Sequence, residues 1–70
     1  MRRSNDNEYT QIHGTVLRMS QRAVLVRLTE GRREAWIPQS VIFEDDLAGL
    51  DVGVVGEINV QEWFHDKELA

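Results

Sequence analysis

Apolar and polar positions alternate with the two-residue period of a β-strand in two adjoining runs, Arg22 to Thr29 and Arg32 to Pro38, separated by Glu30 and Gly31. Taking Glu30-Gly31 as a two-residue hairpin loop pairs Thr29 with Arg32, Leu28 with Arg33, Arg27 with Glu34, Val26 with Ala35, Leu25 with Trp36 and Val24 with Ile37. Val24, Val26, Leu28, Ala35 and Ile37 then form one apolar face, the expected core. Leu25, Arg27, Arg32, Glu34 and Trp36 share the other. A slip of one residue in either strand exchanges the two faces, so the assignment rests on the turn.

The rest of the chain supplies pieces that pack against this hairpin. Tyr9 to Met19 mixes β-branched and apolar residues with polar ones and reads as a long first strand, with Gly14 placed where that strand bends or bulges. Met19-Ser20-Gln21 makes the first turn. Pro38 ends the third strand because it has no N–H for a ladder bond. Ser40 is positioned to cap a short helical turn through Val41, Ile42 and Phe43, whose apolar side chains plug the end of a barrel. Gly53 and Gly56 mark a turn before Glu57–Glu62, which alternates with Ile58 and Val60 inward. Trp63 to Leu69 favours a short terminal helix, with Trp63, Phe64 or Leu69 covering a gap in the sheet.

These elements predict an all-β fold: a small single-domain barrel, OB-like or SH3-like, of four to five antiparallel strands with a short helical turn and a short C-terminal helix. Residues 1 to 8 read as a disordered polar tail and residues 9 to 70 as the one domain. Seventy residues leave little room for a buried catalytic site. No apolar run is long enough to span a bilayer, and the polar run after Arg2-Arg3 is unlike a secretion signal. The absence of cysteine removes disulfides, thiolate chemistry and sulfur-ligated zinc, and a cytoplasmic location fits.

Charge divides the chain unevenly. Residues 1 to 33 hold seven arginines against Asp6, Glu8 and Glu30, a net +4; residues 34 to 70 hold nine carboxylates against Lys67, a net −8, giving the chain's −4. Such a split serves a basic face for an anionic partner, or an acidic face that imitates one, or mutual neutralisation across neighbouring strands.

Three runs, Ala23-Val-Leu-Val26, Ala35-Trp-Ile-Pro-Gln-Ser-Val-Ile42 and Gly56-Glu-Ile-Asn-Val60 followed by Glu62-Trp-Phe64, resemble a group of short, mostly uncharacterised proteins of bacteriophages and other mobile elements. The similarity covers roughly residues 12 to 69 and its motifs are structural. It implies a small barrel and a phage or prophage setting, and carries no catalytic residues.

Two candidate sites follow. Arg18, Arg22, Arg27, Arg32 and Arg33 with Trp36 make a strand surface suited to holding a phosphate backbone and stacking a base, the chemistry of OB-type binders of single-stranded nucleic acid, or to docking a nucleic-acid-handling protein. The plainer alternative is that Arg27 pairs with Glu34 and the terminal helix covers Trp36. Glu44, Asp45, Asp46 and Asp51, with Glu57, Glu62, Asp66 and Glu68, offer an acidic surface for a host protein. They lack calcium-loop spacing, so a solvated acidic loop is the default and no metal is expected. His13 and His65 stand apart from any triad or ligand spacing, and Gly53–Gly56 does not form a phosphate loop, so neither catalysis nor a cofactor is expected. An open strand edge also permits a homo-oligomer.

Overall fold

The computed structural model describes residues 8–70, so the polar tail expected over residues 1 to 8 lies, except for Glu8, outside the described residues. The backbone carbonyl of Glu8 accepts a hydrogen bond from the Glu62 N–H at 2.9 Å. Four antiparallel strands follow in the order β3-β2-β1-β4: β1 Tyr9–Met19, β2 Ala23–Leu28, β3 Glu34–Pro38 and β4 Val55–Gln61. Between β3 and β4 come a 3-10 turn, Gln39–Val41, and a short helix α1, Glu44–Ala48. After β4, helix α2 (Glu62–Phe64) runs into a π-helical turn, His65–Leu69.

The barrel expectation needs correction: the sheet is open. Among the described residues β3 pairs with β2 alone, and the chain beyond β3 meets β4 through the isolated bridge Ile42–Val60, the Phe43 N–H to Asn59 carbonyl bond at 2.8 Å and the Asp46 side chain, not through a strand ladder. Pro38 ends β3 and has no N–H to donate, and the chain turns away there, so the ring is not completed. The fold is a small β-rich domain with short helical pieces.

The β2–β3 register is the one the alternation predicts, from Arg27–Glu34 through Val24–Ile37. The turn is different. Gly31 and Arg32 take left-handed backbone (φ 77° and 54°), the Leu28 N–H bonds the Arg33 carbonyl at 2.6 Å, and four residues, Thr29 to Arg32, loop out. Thr29 therefore does not pair with Arg32; its N–H bonds the His13 carbonyl of β1 at 2.9 Å. A two-residue type I′ loop would have placed Glu30 in the left-handed region. The longer loop assigns that backbone to Gly31, where it costs little, and to Arg32.

Alternation places Ile12 and Val16 of β1, Val24, Val26 and Leu28 of β2, Ile37 of β3 and Ile58 and Val60 of β4 on one buried face. Val41, Ile42, Phe64 and Leu69 close over it, with Ala35, Leu47 and Leu50 packed at its margin. Two sequence expectations shift here. The irregularity in β1 falls between Val16 and Arg18, not at Gly14. Gly14 is instead the point of closest approach, where an added Cβ would lie 2.6 Å from the Arg27 carbonyl oxygen and 2.6 Å from Val26 Cγ1. The helical turn after Pro38 is Gln39–Val41, so Ser40 lies inside it and makes no capping bond. The terminal segment covers the sheet as expected, through Phe64 and Leu69, while Trp63 stays 42% exposed; of the apolar residues after Ser40, Val41 and Ile42 are buried and Phe43 is not. Among the described residues no helix is long and apolar enough to cross a membrane.

Candidate functional site

The second face of the sheet is built by the same register that makes the core. Its rows run across the strands, Trp36 beside Leu25 beside Arg18, and Glu34 beside Arg27 beside Thr15 beside Val55. Trp36 is 51% exposed and lies outside the cover of the terminal helix. Leu25 beneath it is half-buried, so one large ring and one aliphatic side chain share an otherwise polar surface.

The arginines named by the sequence do not all join this surface. Arg27 Nη2 lies 3.3 Å from Glu34 Oε2, with both side chains about half exposed, a pair worth about 0.2–1 kcal/mol in water. Arg33 is withdrawn from the face, since its Nη2 donates to the Leu69 carbonyl and ties the hairpin to the terminal turn. Arg18, Arg22 and Arg32 have no ion pair or side-chain hydrogen bond among the described residues. Arg18 shares the row of Trp36, whereas Arg22 and Arg32 stand in the turns at opposite ends of the hairpin. An open hollow of about 460 Å³ under the β2–β3 turn is lined by Thr15, Arg27, Thr29, Arg32 and Glu34. It is a place where a small anionic group would meet Arg32 and the free donors of Arg27.

The acidic candidates divide as well. Asp46 Oδ2 accepts the backbone N–H of Asn59 at 2.8 Å and its Nδ2 at 3.0 Å, so this carboxylate closes the outer edge of β4. Asp51 Oδ1 accepts the Val52 N–H at 2.8 Å within the turn before β4. Glu44 and Asp45 remain exposed in the first turn of α1, where negative charge suits the helix dipole.

Phe43 and Trp63, which the sequence suggested as plug and cover, are exposed instead. Tyr9 and Phe43 meet edge to face at 5.2 Å, each more than a third exposed, and the Trp63 indole N–H donates to Gln61 Oε1 at 2.7 Å. The carboxyl of Glu62 is held above its ordinary value, first by a hydrogen bond to the Glu8 side chain, then by the charges of Glu8 and Asp66 with a contribution from desolvation. The signal for this cluster was the long-range pairing of Tyr9 with Gln61, which no local pattern reveals.

The two histidines do have acidic neighbours. His13 Nε2 lies 3.3 Å from Glu57 Oε2 across β1 and β4, and His65 Nδ1 lies 3.3 Å from Asp66 Oδ1. Both rings border a cavity of about 520 Å³ between the hairpin tip and the terminal turn, where Arg33 and Gln11 also project. Its lining also includes Glu30.

Comparison of the chain with protein-family models, with curated proteins and with solved structures found no match.

Proposed function

We propose that this domain is a non-catalytic binding module that lays single-stranded nucleic acid across the outer face of its sheet. The observation that carries the reading is Trp36, 51% exposed on that face, in the same row as an arginine that no carboxylate engages among the described residues. A base stacks on the indole and on the Leu25 surface, while Arg18, Arg32 and the hollow beside Arg27 take phosphates. The resemblance to short phage and mobile-element proteins supplies the setting. The meander β1-β2-β3, with a 3-10 turn before a last strand that returns beside β1, supports an SH3-like order over an OB-like one.

The test is a titration of the folded protein with DNA and RNA oligonucleotides at low salt, read by tryptophan fluorescence. Affinity should fall with salt at a log–log slope near about −2, as about three phosphate contacts require. Trp36→Ala should weaken binding by about tenfold to a hundredfold, the effect of losing one stacked base. A folded sample that binds neither nucleic acid at low salt ends this reading.

A second reading is favoured by one specific feature, the exposed aromatics Tyr9, Phe43 and Trp63 set among Glu44, Asp45 and Glu62. That end suits a basic groove on a host protein. Glu44→Lys with Asp45→Lys should release such a protein from a pull-down, since Asp46 and Asp51 are already occupied structurally.

A further inference from the structure

We infer that the open edge of β3 is a pairing surface for a second copy of this chain, joined about a two-fold axis at Ala35. The backbone bonds locate the free groups. Leu28 with Arg33 and Arg22 with Gln39 are bonded at the two ends of the β2–β3 ladder, with Val26–Ala35 and Val24–Ile37 the alternate pairs between them. Alternation therefore turns the N–H and C=O of Ala35 and Ile37 toward β2, and those of Glu34 and Trp36 away from it. Among the described residues nothing bonds those outward groups. The other edge of the sheet is treated differently: at Asn59 the N–H goes to Asp46 and the C=O to the Phe43 N–H.

Self-pairing has one register that satisfies both hydrogen bonding and charge. With the axis at Ala35, Glu34 of one copy faces Trp36 of the other, and the two pairs exchange four backbone hydrogen bonds. An axis at Glu34 sets two carboxylates directly opposite, which is unfavourable. An axis at Trp36 sets Glu34 opposite Pro38, which has no N–H to return. Ala35 then meets its counterpart in a non-bonded pair, the closer type of cross-strand approach, and its methyl is small enough for it. The outer face continues across the axis as Arg27, Glu34, Trp36 and Leu25, so no like charges are directly opposed.

The chemistry of the edge also limits the assembly to two copies. The contact is isologous and consumes the β3 edge of both chains, so it closes at two copies, and β4 is interrupted at its centre by the bonds to Asn59. Five residues a side with two half-exposed tryptophans make a small interface, which sets the dissociation constant between about 10 µM and about 1 mM.

This inference does not rest on nucleic-acid binding, and its test uses the protein alone. Sedimentation from about 10 µM to about 1 mM should show the mass rising toward a dimer and stopping there. Over the same range the exchange rates of the Glu34 and Trp36 amides should fall with concentration, whereas those of Ala35 and Ile37 should be slow throughout. Glu34→Pro removes one outward donor per chain while leaving the β2 ladder intact, and should weaken the dimer by about tenfold or more. A monomer at every concentration overturns the inference, as does a dimer whose Glu34 and Trp36 amides exchange at a constant rate. The exchange pattern of the unmodified chain decides the matter even where the proline variant fails to fold.

Discussion

The two edges of the sheet are near opposites. At the β4 edge, Ile42 bridges Val60, Phe43 and Asp46 take both backbone groups of Asn59, and the surroundings are acidic and aromatic. At the β3 edge the backbone is bare, the aromatic neighbour is Trp36, and the charged residues of the adjoining turns and rows are mostly arginines. The difference shows how a chain this short allots its few special residues. One carboxylate, Asp46, closes an edge, while three arginines are left without partners among the described residues. A charge that is satisfied inside the fold contributes stability. A charge left unsatisfied on an ordered strand surface is available to something else.

The comparison can be broken most forcefully at the strand that separates the edges. Gly14→Val drives a side chain into the Arg27 carbonyl and Val26, and should cost about 3 kcal/mol or more, enough to unfold a domain of this size in a denaturant titration. Asp46→Ala strips the cap from β4 and should cost about 2 kcal/mol by chemical denaturation, leaving oligonucleotide affinity unchanged. Trp36→Ala should do the reverse, changing stability by less than about 1 kcal/mol while weakening the binding as described above. Arg32→Gly should stabilise the domain by about 0.5–1 kcal/mol through relief of its left-handed backbone, yet weaken anion binding; a variant that gains in both would detach Arg32 from the site.

The smallest effect is a pH dependence at the acidic end. Folded Glu62 holds its proton more tightly than the unfolded chain does, so acid favours the folded state between the ordinary carboxylate value and Glu62's raised one. That advantage is lost as pH rises through the raised value. Glu62→Gln should therefore raise the Tm slightly at neutral pH and leave it unchanged once the carboxylates are protonated, measured by thermal melts across that range.

Much of the hairpin was legible from its alternation alone, because a two-residue period allows only two faces and only one of them is apolar. Val24, Val26, Leu28 and Ile37 are buried as that pattern requires; it sets Trp36 on the opposite face but leaves open whether the terminal helix covers it, and the structure leaves it exposed. What stayed hidden were the partners far away in sequence. Nothing near Asp46 predicts Asn59, nothing near Arg33 predicts Leu69, and nothing near His13 predicts Glu57. Each depends on which strand lies beside β1, a choice made by the whole core. Openness of the sheet was hidden for the same reason, since the same strands in the same register are compatible with a ring or with an arc.

The placement of β4 beside β1 also sets a clock. The two outermost strands in sequence, pairing from Tyr9–Gln61 to Thr15–Val55, are neighbours in space. The hairpin between them closes over a short loop, on the order of microseconds, whereas β1 and β4 must find each other across most of the chain. That search puts the domain among the slow, topologically non-local folders, at about milliseconds to seconds. For a polypeptide growing residue by residue, the edge of β1 that receives β4 stays unpaired until β4 itself has been made.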